Sequence, residues 1–289
     1  MGRFWRENLV KYLLQGAASL CILIVLLIFV FLFKEAFPFI KSPGLSTLWD
    51  IRWEPVSFVQ ERFGITPLFM GSLLVTVIAT LLAIPFSIIG AVYISEIASP
   101  WEREFFKPFI EILAGIPSVV LGFFGLMILS PLVKSLFGLS NGQTALTGAV
   151  LLALMAVPTI ITISEDALKS VPGSYKQAAL ALGASPLETI WRVTVPAALS
   201  GITAAVMLGM GRVIGETMTV LMVTGNAPIP TFNPLESVRT LTATIAAEMG
   251  EVANQSQHYQ ALFWIGIVLL VITFVLNFTA QRILKKVQR

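Results

Sequence analysis

Arg212 and Glu216 stand four residues apart in the run MLGMGRVIGETMTVLMVTGN, residues 207–226, which carries no other charge. Spacing of four puts two side chains on one face of a helix. A charge at the centre of a bilayer costs about 2.5–3.5 kcal/mol on insertion scales. An intrahelical ion pair returns only about 0.2–0.5 kcal/mol in water. The pair does not balance its own desolvation, so something other than stability retains it. An ionisable residue inside a membrane span is by default a functional site. The chemistry on offer is anion recognition, because a guanidinium presents a flat fork of donors that matches an oxyanion. On this reading Arg212 lines an aqueous path, and Glu216 pairs with it until an anion passes. The competing reading is a buried ion pair that only fixes packing. Thr217 and Gly209 keep the surroundings small and polar, while Gly211 and Gly215 form GxxxG and are expected to admit a neighbouring helix. Ser118, beside Pro117, could offer a hydroxyl to the same path.

The elements that must hold these groups are membrane helices. Of the 289 residues, 56% are hydrophobic and only 12% charged, against about 25% charged in soluble domains. Bilayer is the solvent that suits such a chain. A span needs about 20 predominantly apolar residues, and six stretches qualify, at 12–33, 68–94, 109–133, 144–164, 202–225 and 259–281. Lipid leaves no partner for a free backbone amide, so all six are expected to be helical. The first is read as an uncleaved span, since Lys34, Glu35 and Ala36 follow it rather than a small-residue cleavage site. With both termini in the cytoplasm, twelve Lys and Arg fall inside and six outside, as the positive-inside rule prefers. Residues 34–67 and 226–258 are then external loops, the second with a helix expected over 234–252. Residues 165–201 form a cytoplasmic loop. Pro85, the Gly115–Ile116–Pro117–Ser118 run and Pro158 interrupt three spans, and such breaks are tolerated where they line a cavity. The expected architecture is one all-α integral membrane domain over residues 1–289.

The cytoplasmic loop carries the most specific pattern, SYKQAALALGASPLETIWRVTVP over 174–196. Ser174 to Leu182 reads as a short helix, and Gly183 as its left-handed stop. Ser185, Pro186 and Glu188 supply an N-cap, the preferred first residue and the returning carboxylate of a capping box. A second helix over 187–195 should end at Pro196. A rigid helical hairpin with a small-residue face is suited to a cleft on another protein.

Gln177, Ala178 and Ala179, then Gly183, then Val193-Thr194-Val195-Pro196, resemble the "EAA" loop of binding-protein-dependent ABC importers. Gln177 stands where that family has Glu, and valines replace its Ile and Leu. GRVIGETM followed by TGN, with GSLLVTVIATLLAIPFSIIGAVYISE, ILAGIPSVVLGFFGL and ALFWIGIVLLVITFVLNF, resembles the phosphate-specific permeases of that group, in particular the PstC type. The resemblance covers most of residues 65–285. It implies a type I ABC importer-like transmembrane domain in a bacterial-type inner membrane, with the hairpin as the coupling helix that docks on an ATPase. It also implies a heterodimer with a related permease of PstA type, two ATPase subunits and an external phosphate-binding protein. Sulfate, molybdate or another oxyanion, and the PstA-type identity, stay open as alternatives.

No G-x-x-x-x-G-K-[ST] loop occurs, so ATP and its Mg are expected on partner subunits and no cofactor on this chain. No nucleophile–base constellation stands out, which disfavours an intramembrane enzyme. The lone His258 and lone Cys21 give no metal or disulfide framework, and no basic stripe points to nucleic acid. A secondary transporter using Arg212 and Glu216 as a proton relay, and a scaffold without transport, are the rival classes. Glu111 is expected at the membrane surface near Lys107. The external segments, with six basic and seven acidic residues, form no funnel for anions, which fits delivery by a carrier.

Overall fold

The computed structural model describes residues 2–287; the side chains of residues 2–7, 280, 281 and 283–287 are outside that description. Of the cations counted for orientation, the side chains of Arg3, Arg6, Lys285 and Lys286, and the whole of Arg289, lie outside it. The order is α1 (Gly2–Ala36), a short hairpin of β1 (Trp53–Glu54) and β2 (Arg62–Phe63), α2 (Thr66–Val92), α3 (Pro100–Gly115), α4 (Ser118–Phe124), α5 (Ser130–Phe137) and α6 (Ala145–Lys169). Then come α7 (Gly173–Ala181), α8 (Pro186–Thr189), α9 (Val195–Ala197), α10 (Leu199–Gly215), α11 (Met218–Val223), α12 (Leu241–Glu248) and α13 (Gln257–Val287). Five helical stretches are long and apolar enough to cross a membrane, and a sixth is reached by joining α10 to the segment Pro186–Ala197 across a 68° bend.

The centre of the bundle is α2, α6 and α10. Val75, Ala79 and Ala83 recur at four-residue intervals on α2 and meet Ala145, Ala149, Leu152 and Ala156 of α6. Small side chains at that seam let two backbones approach closely, which is how helices associate when lipid removes the hydrophobic drive. Ile160 of α6 faces Ala205 and Val213 of α10 in the same core. Pro85 and Pro158 lie inside unbroken helices. Of these three proline runs only Ile116–Pro117 separates helices, and α3 before it is a distinct helix started by a Ser99–Glu102 capping box. The third crossing therefore runs over Ser118–Phe137, where residues 109–133 were expected. Proline at 117 forces Ile116 out of the helical region, to ψ 126, and that ends α3.

At one end of the bundle Phe39, Leu48, Trp53, Phe63, Leu68, Leu241 and Leu262 form a second core that seats the β-hairpin. At the other end Ile94, Leu168, Val171, Ile190 and Ile202 join the ends of α2 and α6 to the α8–α10 segment. Glu165 is buried there, paired with Lys169 and 4.0 Å from Lys107. Lys107 thus turns to Glu165, and Glu111 is left exposed. Helix α1 stands at the edge, touching α13 through Phe31, Phe263 and Ile267, with Trp264 Nε1 donating to the Ala36 carbonyl at 2.8 Å.

Candidate functional site

Two helix breaks lie at adjoining points, one just before the third crossing and one at the end of α10. The first gap follows Gly115 and the second follows Gly215, where Glu216 takes an extended conformation, ψ 131. Glu216 then caps the next helix, its Oε1 accepting from the Thr219 amide at 3.2 Å, so one of the orphan donors at the α11 start is satisfied. The restarted helices α4 and α11 are stitched together. Thr219 Oγ1 donates to the Ser118 carbonyl at 3.0 Å, and a Cβ at Gly122 would lie 2.8 Å from Met222 Sδ.

Arg212 occupies the last turn of α10. Its Nη1 donates to Thr159 Oγ1 of α6 at 3.2 Å, and its Nη2 to the Ala114 carbonyl, at the end of α3, at 3.5 Å. Both partners are neutral. Among the described residues no ion pair joins Arg212 to Glu216. This corrects the expectation of a pair on one helix face: α10 stops at Gly215, so Glu216 leaves the i, i+4 register and its carboxylate is spent on capping. The two side chains still border one narrow crevice, with Leu152, Met155, Ala156 and Val213. A guanidinium has five N–H donors, and two are engaged. A cation among neutral groups at low dielectric attracts an anion far more strongly than it would in water.

The other residues of the expected path are placed as follows. Ser118 opens α4 and contributes its carbonyl, not its hydroxyl, to the stitch. Thr217 donates to the Gly215 carbonyl at 3.2 Å. Gly211 and Gly215 are not helix-packing glycines within this chain, because a Cβ on either would meet nothing within 4 Å. The tight glycine is Gly209, whose Cβ would come within 2.6 Å of Ile160.

The hairpin forms with its expected turn. Gly183 has φ +88, a left-handed conformation that glycine takes without a Cβ penalty. Ser185 Oγ accepts from the Glu188 amide, and Glu188 Oε2 accepts from the Ser185 amide at 3.0 Å. The Ser185 backbone amide first, then the Ser185 hydroxyl and the Arg192 charge, hold the Glu188 carboxyl below its ordinary range. Gln177, Ala178, Ser185 and Pro186 are exposed and Ala179 half-buried; Leu182 is 90% and Leu187 61% exposed. The second helix does not stop at Pro196, which lies in α9. It runs through a π turn at Ile190–Thr194 and bends at Ala198 into α10.

At the opposite end the helix expected over 234–252 is confined to α12, because the preceding residues are held in irregular conformation by the Asn226–Arg239 and Gly225–Val238 contacts. Sequence reasoning gave His258 no role, yet it borders a carboxylate hub. Glu248 accepts from Trp53 Nε1 at 3.1 Å, pairs with Arg239, and lies 2.8 Å from His258 Nε2. Burial pushes the Glu248 carboxyl up, but the His258 and Trp53 hydrogen bonds and the Arg239 charge outweigh it and hold it below the usual range. The hub floors a cleft of about 770 Å³ also lined by Glu54, Glu61 and Glu251. Thr159 was equally unread; a hydroxyl just after an intrahelical proline was its only signal.

The helical bundle and the capped hairpin agree with comparison to known proteins. Residues 83–289 match the family of binding-protein-dependent transport system inner membrane components. The chain belongs to that family. Among relatives of this permease, a probable ABC transporter permease, YqgH, of Bacillus subtilis is 38% identical over 80% of this chain and 74% of its own length. The phosphate transport system permease protein PstC of Mesorhizobium japonicum is 32% identical over 99% of this chain and 92% of its own. In structure, a subunit of a bacterial alginate ABC transporter matches with TM-score 0.66 at 16% identity over 96% of this chain and 98% of that one. The MetNI methionine ABC transporter matches at 0.60 and 19% over 76% and 94%. These likenesses establish the type I ABC importer transmembrane fold and place the permease in a bacterial inner membrane.

Proposed function

We propose that this permease carries inorganic phosphate inward as the PstC-type half of a heterodimer. Its partners are a PstA-type permease, two ATPase subunits that hold ATP and Mg, and an external phosphate-binding protein. The observation that carries the reading is Arg212: a guanidinium at the meeting point of two helix breaks, held among the described residues only by the neutral Thr159 and Ala114 oxygens. Such a group offers charge and unused donors to an oxyanion. PstC relatives at about one-third identity over nearly the whole chain favour phosphate among oxyanions.

Substrate arrives from the face carrying the β-hairpin and α12, which is external in this reading, as are residues 34–67 and 226–258. The termini and the 165–201 loop are cytoplasmic. The exposed face of Gln177, Ala178, Ala179 and Gly183 docks on an ATPase, and the Ser185–Pro186–Glu188 cap keeps the hairpin stiff enough to transmit its movement. Arg212, Glu216, Ser118 and Thr217 border the path, and Glu216, released from Thr219, can neutralise Arg212 between turnovers. Gly211 and Gly215 face the sister permease. The test is reconstitution of the complete complex in vesicles with ATP inside. Uptake of radiolabelled phosphate should resist excess sulfate and molybdate and should stop without ATP. Competition by sulfate at equal concentration would overturn the substrate; uptake driven by a proton gradient without ATP would favour a secondary transporter.

A further inference from the structure

Helix α7 touches the membrane bundle lightly. Of its residues only Lys176 and Ala179 are half-buried, and none is buried. Its one ion pair to a membrane helix is Lys176 with Glu96, among the described residues. The Lys176 ammonium lies 2.8 Å and 2.7 Å from the two Glu96 oxygens. The Glu96 side chain is only 8% exposed, and Ser95 Oγ donates to it at 3.1 Å. Glu96 sits in the π turn Tyr93–Ile97 that ends the second span. That turn is itself braced: Arg103 donates to the Ile94 carbonyl at 2.9 Å and to the Ser95 carbonyl at 3.0 Å, and Tyr93 to Glu102 at 3.1 Å. The carboxylate is therefore presented from a fixed platform.

Three routes lead from α7 into the bundle. Two follow the chain, back through residues 170–172 to α6 and on through α8, α9 and the bend at Ala198 into α10. The third is this ion pair, into α2. A load carried by the chain alone reaches α2 only through its packing on α6 and α10; the ion pair applies it to α2 directly, so that the three helices move together. We infer that Glu96 and Lys176 are positioning residues for coupling, a strut that ties the ATPase-facing helix to the second span. This deepens the reading of α7 as the ATPase contact and rests on it.

The experiment uses the complete reconstituted complex and measures solute taken up per ATP hydrolysed. Glu96→Gln and Lys176→Met should each lower that ratio by about tenfold, within the roughly 5- to 150-fold range of coupling between sites. The exchanged pair, Glu96→Lys with Lys176→Glu, should raise the ratio above both single variants. A pair serving only to fold the loop would change the amount of assembled complex and leave the ratio in surviving complexes at the wild-type value. Ratios within about twofold of wild type in both single variants, or an exchanged pair no better than the singles, would overturn the inference. So would failure of all three variants to assemble. Wild-type complex without ATP-dependent uptake would instead sink the importer reading, and a different oxyanion as substrate would leave this test intact.

Discussion

Replacing Arg212 by Gln should abolish most transport while leaving the permease at least as stable as before. The two effects come from one calculation. The guanidinium gains two hydrogen bonds, at 3.2 Å and 3.5 Å, to neutral oxygens, each contributing about 0.5–1.5 kcal/mol, or up to about 3 with a charged donor. Against that stands an insertion penalty of about 2.5–3.5 kcal/mol for the charge. Glutamine can keep the Thr159 bond and avoids the penalty, so the net stability change lies near zero or above it. For an oxyanion the substitution removes a charge-assisted contact of about 1.5–3 kcal/mol, a loss of about 10- to 150-fold in uptake at limiting substrate. Lysine restores charge but not the fork, and its rescue should be partial. The assay is phosphate uptake by vesicles containing equal amounts of assembled complex, paired with thermal unfolding in detergent. Full uptake by the Gln variant would refute the anion-site argument. A fall in unfolding temperature matching the fall in uptake would show that Arg212 serves packing.

Other outcomes follow from single contacts. Gly209→Ala drives a Cβ to 2.6 Å from Ile160 and should destabilise by about 1–3 kcal/mol, whereas Gly211→Ala, with nothing of this chain within 4 Å, should be neutral or stabilising by up to about 1 kcal/mol; thermal unfolding of the two variants of the isolated permease checks the contrast. Ser185→Ala removes the cap of α8 and should cost about 1 kcal/mol locally, read as faster amide exchange across residues 185–195. Because the folded-state Glu248 carboxyl is depressed, its contribution is present above the unfolded value of about 4.3 and lost as pH falls through the lower folded value. Amide exchange over residues 53–63 should therefore rise in that acid window, and Glu248→Gln should raise it at neutral pH and remove the acid step.

The helices were legible because apolar length is a strong signal and because caps are written locally: Ser185 with Glu188, and Gly183 as a stop, need nothing beyond their neighbours. Glu216 was misread for the opposite reason. Its spacing from Arg212 permits a helix, and no proline marks the break. The unwinding is supported from outside the segment, by Thr242 donating to the Glu216 carbonyl at 2.9 Å. Thr159 and Ala114 lie far from Arg212 in sequence, so the ligand set of the guanidinium could emerge only once α3, α6 and α10 were packed. The same holds for Glu248, whose partners come from the β-hairpin, the 226–240 segment and α13. GxxxG could not single out Gly209 as the glycine packed on Ile160, because the motif does not say which face the chain itself will fill.

The 68° bend at Ala198 turns the α8–α9 arm and α10 into a bell crank with its pivot near the membrane surface. At about 1.5 Å per residue, Arg212 rides about 21 Å along the long arm. A swivel of about 10° at the pivot would sweep it sideways by about 4 Å, enough to pull the guanidinium off Thr159. Small travel of the short arm, passed on from α7 just before it in the chain, would thereby become release at the charge.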